Sequence, residues 1–177
     1  HQGFIPWDDD LDLNMLRCDY EQLPKLLKQE YGDKYQCVGA NISYNSKFPF
    51  MKVERVDTQI RNIYHTSNDV HHVGVDIFPI DNIPNNLLKR IWHGLCLNAI
   101  QYLALCVTFY NEKDCYSTQL LRSSKEGRKK INFRLFVGNI IAKIFNDHTL
   151  NKYFDLLAAK YKHSATQCVS IPTGREH

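Results

Sequence analysis

Between Asp8 and Asp12 the chain carries four carboxylates in five residues, inside the stretch GFIPWDDDLDL that runs from Gly3 to Leu13. Carboxylates held this close repel one another, and a shared cation removes the repulsion. From Asp10 onward polar and apolar residues alternate through Leu11, Asp12 and Leu13, the period of a half-buried strand. Such a strand turns Asp10 and Asp12 out of one face, about 6–7 Å apart, and turns Leu11 and Leu13 toward a core. Hard oxygen ligands, few and open on one side, suit magnesium or manganese. A calcium loop of the EF-hand type would also use Asp8, Asp10 and Asp12, but Leu13 stands where that loop needs a glycine, and Pro6 leaves no entering helix.

A second stretch repeats the pattern. In VGVDIFP, residues 73–79, Val73, Val75 and Ile77 share one strand face and Asp76 looks out of the other. An aspartate in so apolar a strand is costly to bury unless it is paired or bound to metal. His65, His71 and His72 lie close in sequence but have no cysteine or carboxylate pattern around them, so they read as surface or loop residues rather than a zinc site.

The elements that must position these groups follow from the periodicity. Asp19 with Gln22 three residues later resembles a capping box, which predicts a helix starting there and ending at Gly32-Asp33, with Pro24 as a start or kink. Strands are expected over 36–44, 48–55, 58–64 and 73–79. Helices are expected over 86–110, 117–126, 130–146 and 148–162, with a break at Gly127, and a short strand over 167–171. The apolar run from Ile91 to Tyr110 barely reaches spanning length and is interrupted by His93, Asn98 and Gln101, so it reads as a buried core helix.

With 177 residues, 44% hydrophobic and 23% charged, the composition is that of one globular domain. A net charge of +3 argues against nucleic acid as partner. Six cysteines without a CxxC pair read as free thiols in a reducing compartment. The absence of an initial methionine, and a start inside a motif, read as a fragment truncated at both ends.

Taken together, GFIPWDDDLDL, Arg17, Asp19-Tyr20 and the block Val75-Asp76-Ile77-Phe78-Pro79-Ile80-Asp81 resemble the LicD family of phosphocholine transferases, relatives of fukutin and fukutin-related protein. Lys52 and Thr58 in FMKVERVDTQI match the family's strand pair, and the terminal Gly-Arg-Glu echoes it weakly. The resemblance implies an α/β (α+β) nucleotidyltransferase-like fold, a mixed sheet carrying three carboxylates and followed by a helical half. On that basis residues 1–177 form one domain: a sheet-rich catalytic part over 1–83, a helical part over 84–165 and the start of a strand region over 166–177. The family's Leu-Leu-Gly segment would precede His1, which leaves the fragment's own activity open.

The implied reaction is transfer of a phospho-alcohol group, phosphocholine being the family's best-known case, from a CDP-activated donor to a sugar hydroxyl of a lipopolysaccharide or teichoic acid. Asp10, Asp12 and Asp76 would hold magnesium or manganese and carry the chemistry. Asp8, Trp7, Arg17, Lys52 and Thr58 would contact substrate. The expected setting is cytoplasmic, at the inner face of the membrane, with peripheral association. Two other functions are compatible with the residues: transfer of a nucleotidyl group to a sugar or small alcohol, and a non-catalytic module of a glycan-assembly complex.

Overall fold

The computed structural model describes residues 11–39, 42, 48–60, 72–115, 118, 124–162 and 166–171. A five-stranded mixed sheet is built from β1 (Asp12–Leu16), β2 (Tyr35–Val38), β3 (Met51–Arg55), β4 (Gly74–Ile83) and β5 (Cys168–Ser170). The order is β1-β4-β3-β2, with β1 parallel to β4 and the other pairs antiparallel; β5 pairs with the last three residues of β4. Helices are α1 (Arg17–Tyr31), α2 (Leu87–Asn111), α3 (Lys125–Ile141) and α4 (Asp147–Ala158). The expected mixed sheet with a helical second half is what forms.

Helix α1 follows β1 without a linker. It begins at Arg17, two residues before the expected start, and no side chain caps it; Gln22 instead donates to the Cys18 carbonyl one turn back. Pro24 is an interior residue of α1, where it removes one backbone donor without ending the helix. The turn at Gly32 has φ of 61°, a left-handed value that suits glycine. Tyr20 and Leu23 of α1 pack onto Met51, Ile77, Met15, Val53 and Val75, so α1 covers one face of the sheet.

That cover stops short of the start of β1. Leu11 and Leu13, expected in the core, are 51% and 45% exposed. The alternation was read correctly but the burial was not: β1 is an edge strand, and α1 leaves from its far end and crosses the middle strands.

In the helical half, Leu97, Phe154 and Ala158 form one cluster between α2 and α4, and Ala104, Val107 and Leu150 form another. Asn86, Ser124 and Asn146 cap α2, α3 and α4 by accepting from backbone N–H groups three residues on. Gly127 is the donor to Ser124, so it lies within the first turn of α3 and breaks nothing. At Gly138 the backbone of α3 closes on α2, where an added methyl would collide with the Cys106 carbonyl. Helix α2 is long and apolar enough to cross a membrane by length and composition. Here it packs on α3 and α4, with His93 buried and bonded to the Leu157 carbonyl at 3.0 Å. Its other face is open: Leu88, Ile91, Trp92 and Leu95, spaced as one helical stripe, are all more than half exposed.

Candidate active site

Strand register decides which acidic groups meet. In the parallel pair β1–β4, Asp12 stands opposite Asp76; in the antiparallel pair β3–β4, Lys52 stands opposite the same Asp76. Residues directly opposite share a sheet face, so Asp12, Asp76 and Lys52 form a row across three strands. The Lys52 ammonium lies 3.2 Å from Asp76 Oδ1, and both side chains are about one-quarter exposed or less, at 26% and 21%. Asp12 is exposed. The Asp76 N–H donates to the Leu11 carbonyl at 3.0 Å, extending the β1–β4 ladder past Asp12.

The row carries two negative charges and one positive, on the face away from α1. Two carboxylates on an open face can hold a hard divalent cation that keeps waters or substrate phosphates as its other ligands. Asp10, expected to hold the metal together with Asp12, lies outside the described residues, as do Asp8 and Trp7. Among the described residues no group of three His, Cys, Asp or Glu side chains is placed to hold a metal ion.

Gly74 is a part of this site that its sequence context only hinted at. A Cβ there would press on the Val53 carbonyl at 2.9 Å and on the Lys52 Cε at 3.1 Å. The missing side chain makes room for the lysine to lie along the sheet toward Asp76. An isolated glycine inside a strand pattern, two residues before the aspartate, is the signal that marks such a close approach.

Arg17 and Thr58 are placed elsewhere. Arg17 Nε and Nη2 donate to the two oxygens of Asp81 at 2.7 and 2.6 Å, and Nη1 donates to Asp155 at 2.9 Å. Five residues separate Asp76 from Asp81 on β4, so the two look out of opposite faces. Arg17, expected to contact substrate, therefore joins β4 and α4 on the helix-covered side, away from the row. Burial alone would lower its pKa, but the hydrogen bonds to Asp81 and the charges of Asp155 and Asp81 outweigh burial and raise it. Beside it, the Tyr20 phenol is pushed up, first by burial and then by the charge of Asp155. Thr58 closes the turn after β3: its hydroxyl donates to the Arg55 carbonyl at 2.6 Å and accepts from the Val73 N–H at 2.9 Å.

Comparison with known proteins gives the geometry a family. Residues 1–98 match the family model described as LicD/FKTN/FKRP, nucleotidyltransferase domain. The chain belongs to the LicD family. The match takes in β1, β4, Lys52 and the first half of α2, so the whole row lies within it. The chain is also similar to the lipopolysaccharide cholinephosphotransferase LicD of Haemophilus influenzae, 33% identical over 86 residues. That alignment covers 48% of this chain and 31% of the relative, so the chain matches about a third of that relative's length. No solved structure matches the chain significantly.

Proposed function

We propose that the protein of which this chain is part transfers phosphocholine from a CDP-activated donor to a hydroxyl of a lipopolysaccharide-type glycan. The observation that carries this reading is the row Asp12–Asp76–Lys52, assembled by register in a chain of the LicD family. The name of the Haemophilus influenzae relative supplies the phospho-alcohol and the acceptor class. Asp12 and Asp76, with Asp10, are the groups that would hold a magnesium ion, whose chemistry is to offset charge on the donor's diphosphate.

In this reading Lys52 binds a donor phosphate as a point charge. The acceptor oxygen forms a bond to the phosphorus that carries choline, the bond from that phosphorus to the CMP oxygen breaks, and the acceptor proton passes to the Asp76 carboxylate. CMP leaves. The open face of the sheet suits a bulky acceptor. Work at the cytoplasmic face of a membrane belongs to the same proposal, and the exposed stripe Leu88, Ile91, Trp92 and Leu95, beside Lys89, supports it.

The test is incubation of the full-length protein with magnesium, a lipopolysaccharide acceptor and a panel of CDP-alcohols and nucleoside triphosphates. Release of CMP with labelling of the acceptor supports phospho-alcohol transfer. Release of pyrophosphate from a triphosphate would replace that reading with nucleotidyl transfer, which the same carboxylates can serve.

A further inference from the structure

The open face of the sheet holds more than charge. Phe78 lies two residues beyond Asp76 on β4 and so shares the face of the acidic row, and Phe50, immediately before β3 and two residues ahead of Lys52, brings its ring against Phe78 on that face. Both are displaced from it in the same direction, by about 7 Å, the advance of two strand residues. Their ring centroids are 4.6 Å apart at 44°, and Phe48 extends the group with a centroid 5.4 Å from Phe50 at 33°. Phe48 is 37% exposed. This cluster is separate from the core under α1, which is built from Tyr20, Met51 and Ile77.

The cluster already meets a cation. The Lys52 ammonium is 5.6 Å from the centroid of Phe48 while it sits 3.2 Å from Asp76. One ammonium thus touches both the aromatic surface and the carboxylate. A phosphocholine group has a similar reach, with an anionic phosphorus centre at one end and a quaternary ammonium two carbons away. A quaternary ammonium has no hydrogen to donate, so the faces of aromatic rings are its natural partners.

We propose that Phe48, Phe50 and Phe78 form the platform that binds the trimethylammonium end of the transferred group, so that the donor's alcohol is read by its fixed positive charge. This deepens the transferase reading and rests on it for the identity of the ligand. The arrangement divides the donor: phosphate toward Lys52 and the carboxylates, ammonium toward the rings. It also predicts discrimination by charge rather than by shape.

The experiment compares phosphocholine with 3,3-dimethylbutyl phosphate, its neutral carbon isostere, by calorimetric titration of the full-length protein, and the two CDP-linked donors in turnover. The wild type is expected to prefer the charged ligand by about threefold to thirtyfold, the range for a cation over an aromatic face. Phe48→Leu and Phe50→Leu are expected to bring that preference close to one through KM, with kcat little changed, and Phe48→Tyr to retain it. Equal binding of the two ligands by the wild type overturns the platform, even if CMP release shows the transferase reading to be correct. Equal losses for both ligands in the leucine variants, together with a lowered melting temperature, also overturn it, because they are what a packing role alone produces. Absence of CMP release from any donor would count against the transferase reading, while the titration still decides the platform.

Discussion

Strands β1 and β4 carry two charged constellations a few residues apart, and they are built in opposite ways. On the open face, Lys52 pairs with Asp76 at 3.2 Å while Asp12 stands opposite Asp76 on the neighbouring strand, and Asp12 is exposed where the other two are about one-quarter exposed or less. On the covered face, Arg17 divides its donors between Asp81 and Asp155, with Asp81 only 1% exposed and all three lengths at or below 2.9 Å. Both sets hold two carboxylates and one cation, so charge count does not tell them apart. Geometry and burial do. The covered set uses a planar guanidinium bidentately, which fixes the end of β1 against β4 and α4. The open set uses a point charge on a flexible stem, which can be exchanged for a metal or a phosphate.

The largest expected effect lies on the covered side. Arg17→Met strands two carboxylates near each other without their cation, and removing one partner of a buried pair costs about 3–5 kcal/mol. Urea unfolding measures this. Replacing Arg17, Asp81 and Asp155 together by uncharged residues of similar size is expected to recover most of the loss, because no charge is then left buried. A single Arg17→Met variant as stable as wild type would mean that the two faces are not built in opposite ways.

Asp12→Asn and Asp76→Asn are expected to do the reverse. Transfer should fall on the order of 100-fold, the scale of losing one electrostatic contact to a transition state. Stability without metal should stay level or rise slightly for Asp12→Asn as the repulsion between neighbours falls, and change by no more than about 1 kcal/mol for Asp76→Asn, which also gives up the Lys52 pair. Turnover and urea melts on the same preparations check both halves. A stability loss as large as that of Arg17→Met would move the open row into the structural class.

This contrast also marks how far the sequence could be read. The two acidic strands, their alternation and the family were legible because each is local: eleven residues at one site and seven at the other. The pairing of Asp12 with Asp76 was expected, but the one-residue register that produces it is a property of the sheet and not of either strand. The partners of Arg17 were hidden for a related reason. They lie 64 and 138 residues away, and nothing local separates an arginine that meets substrate from one that meets a distant aspartate. Leu11 and Leu13 show a third limit, since alternation reports two faces but not which of them is covered.

A smaller effect is expected at Lys52. Lys52→Met should raise the KM for the donor about tenfold, roughly the value of one charge-assisted contact, while a half-buried pair of this kind contributes on the order of 1 kcal/mol to stability. The same change removes a cation competing for Asp76, so magnesium alone should bind more tightly. Steady-state kinetics and metal titration by calorimetry give the two numbers. Weaker magnesium binding in the variant would show that the lysine organises the carboxylates instead of competing with the metal for them.

The smallest effect is a pH dependence on the covered side. The Tyr20 phenol is raised in the folded protein by burial and by the charge of Asp155. A group whose folded pKa is raised gives its full stabilisation below its unfolded value, about 10 for tyrosine, and loses it as the pH climbs toward the folded value. Above about pH 10 the unfolded chain releases a proton that the folded chain keeps, and the wild type should lose at most about 1.4 kcal/mol per pH unit from this one group. Tyr20→Phe has no proton to release. Lysines and other tyrosines titrate in the same range, so the informative quantity is the difference between wild type and variant. Urea melts of both at pH 8, 9, 10 and 11 should show that difference constant up to about pH 9.5 and then moving against the wild type. Parallel curves to pH 11 would mean that the phenol ionises as freely in the fold as out of it, and that the arginine side of the strand pair is less closed than its hydrogen bonds indicate.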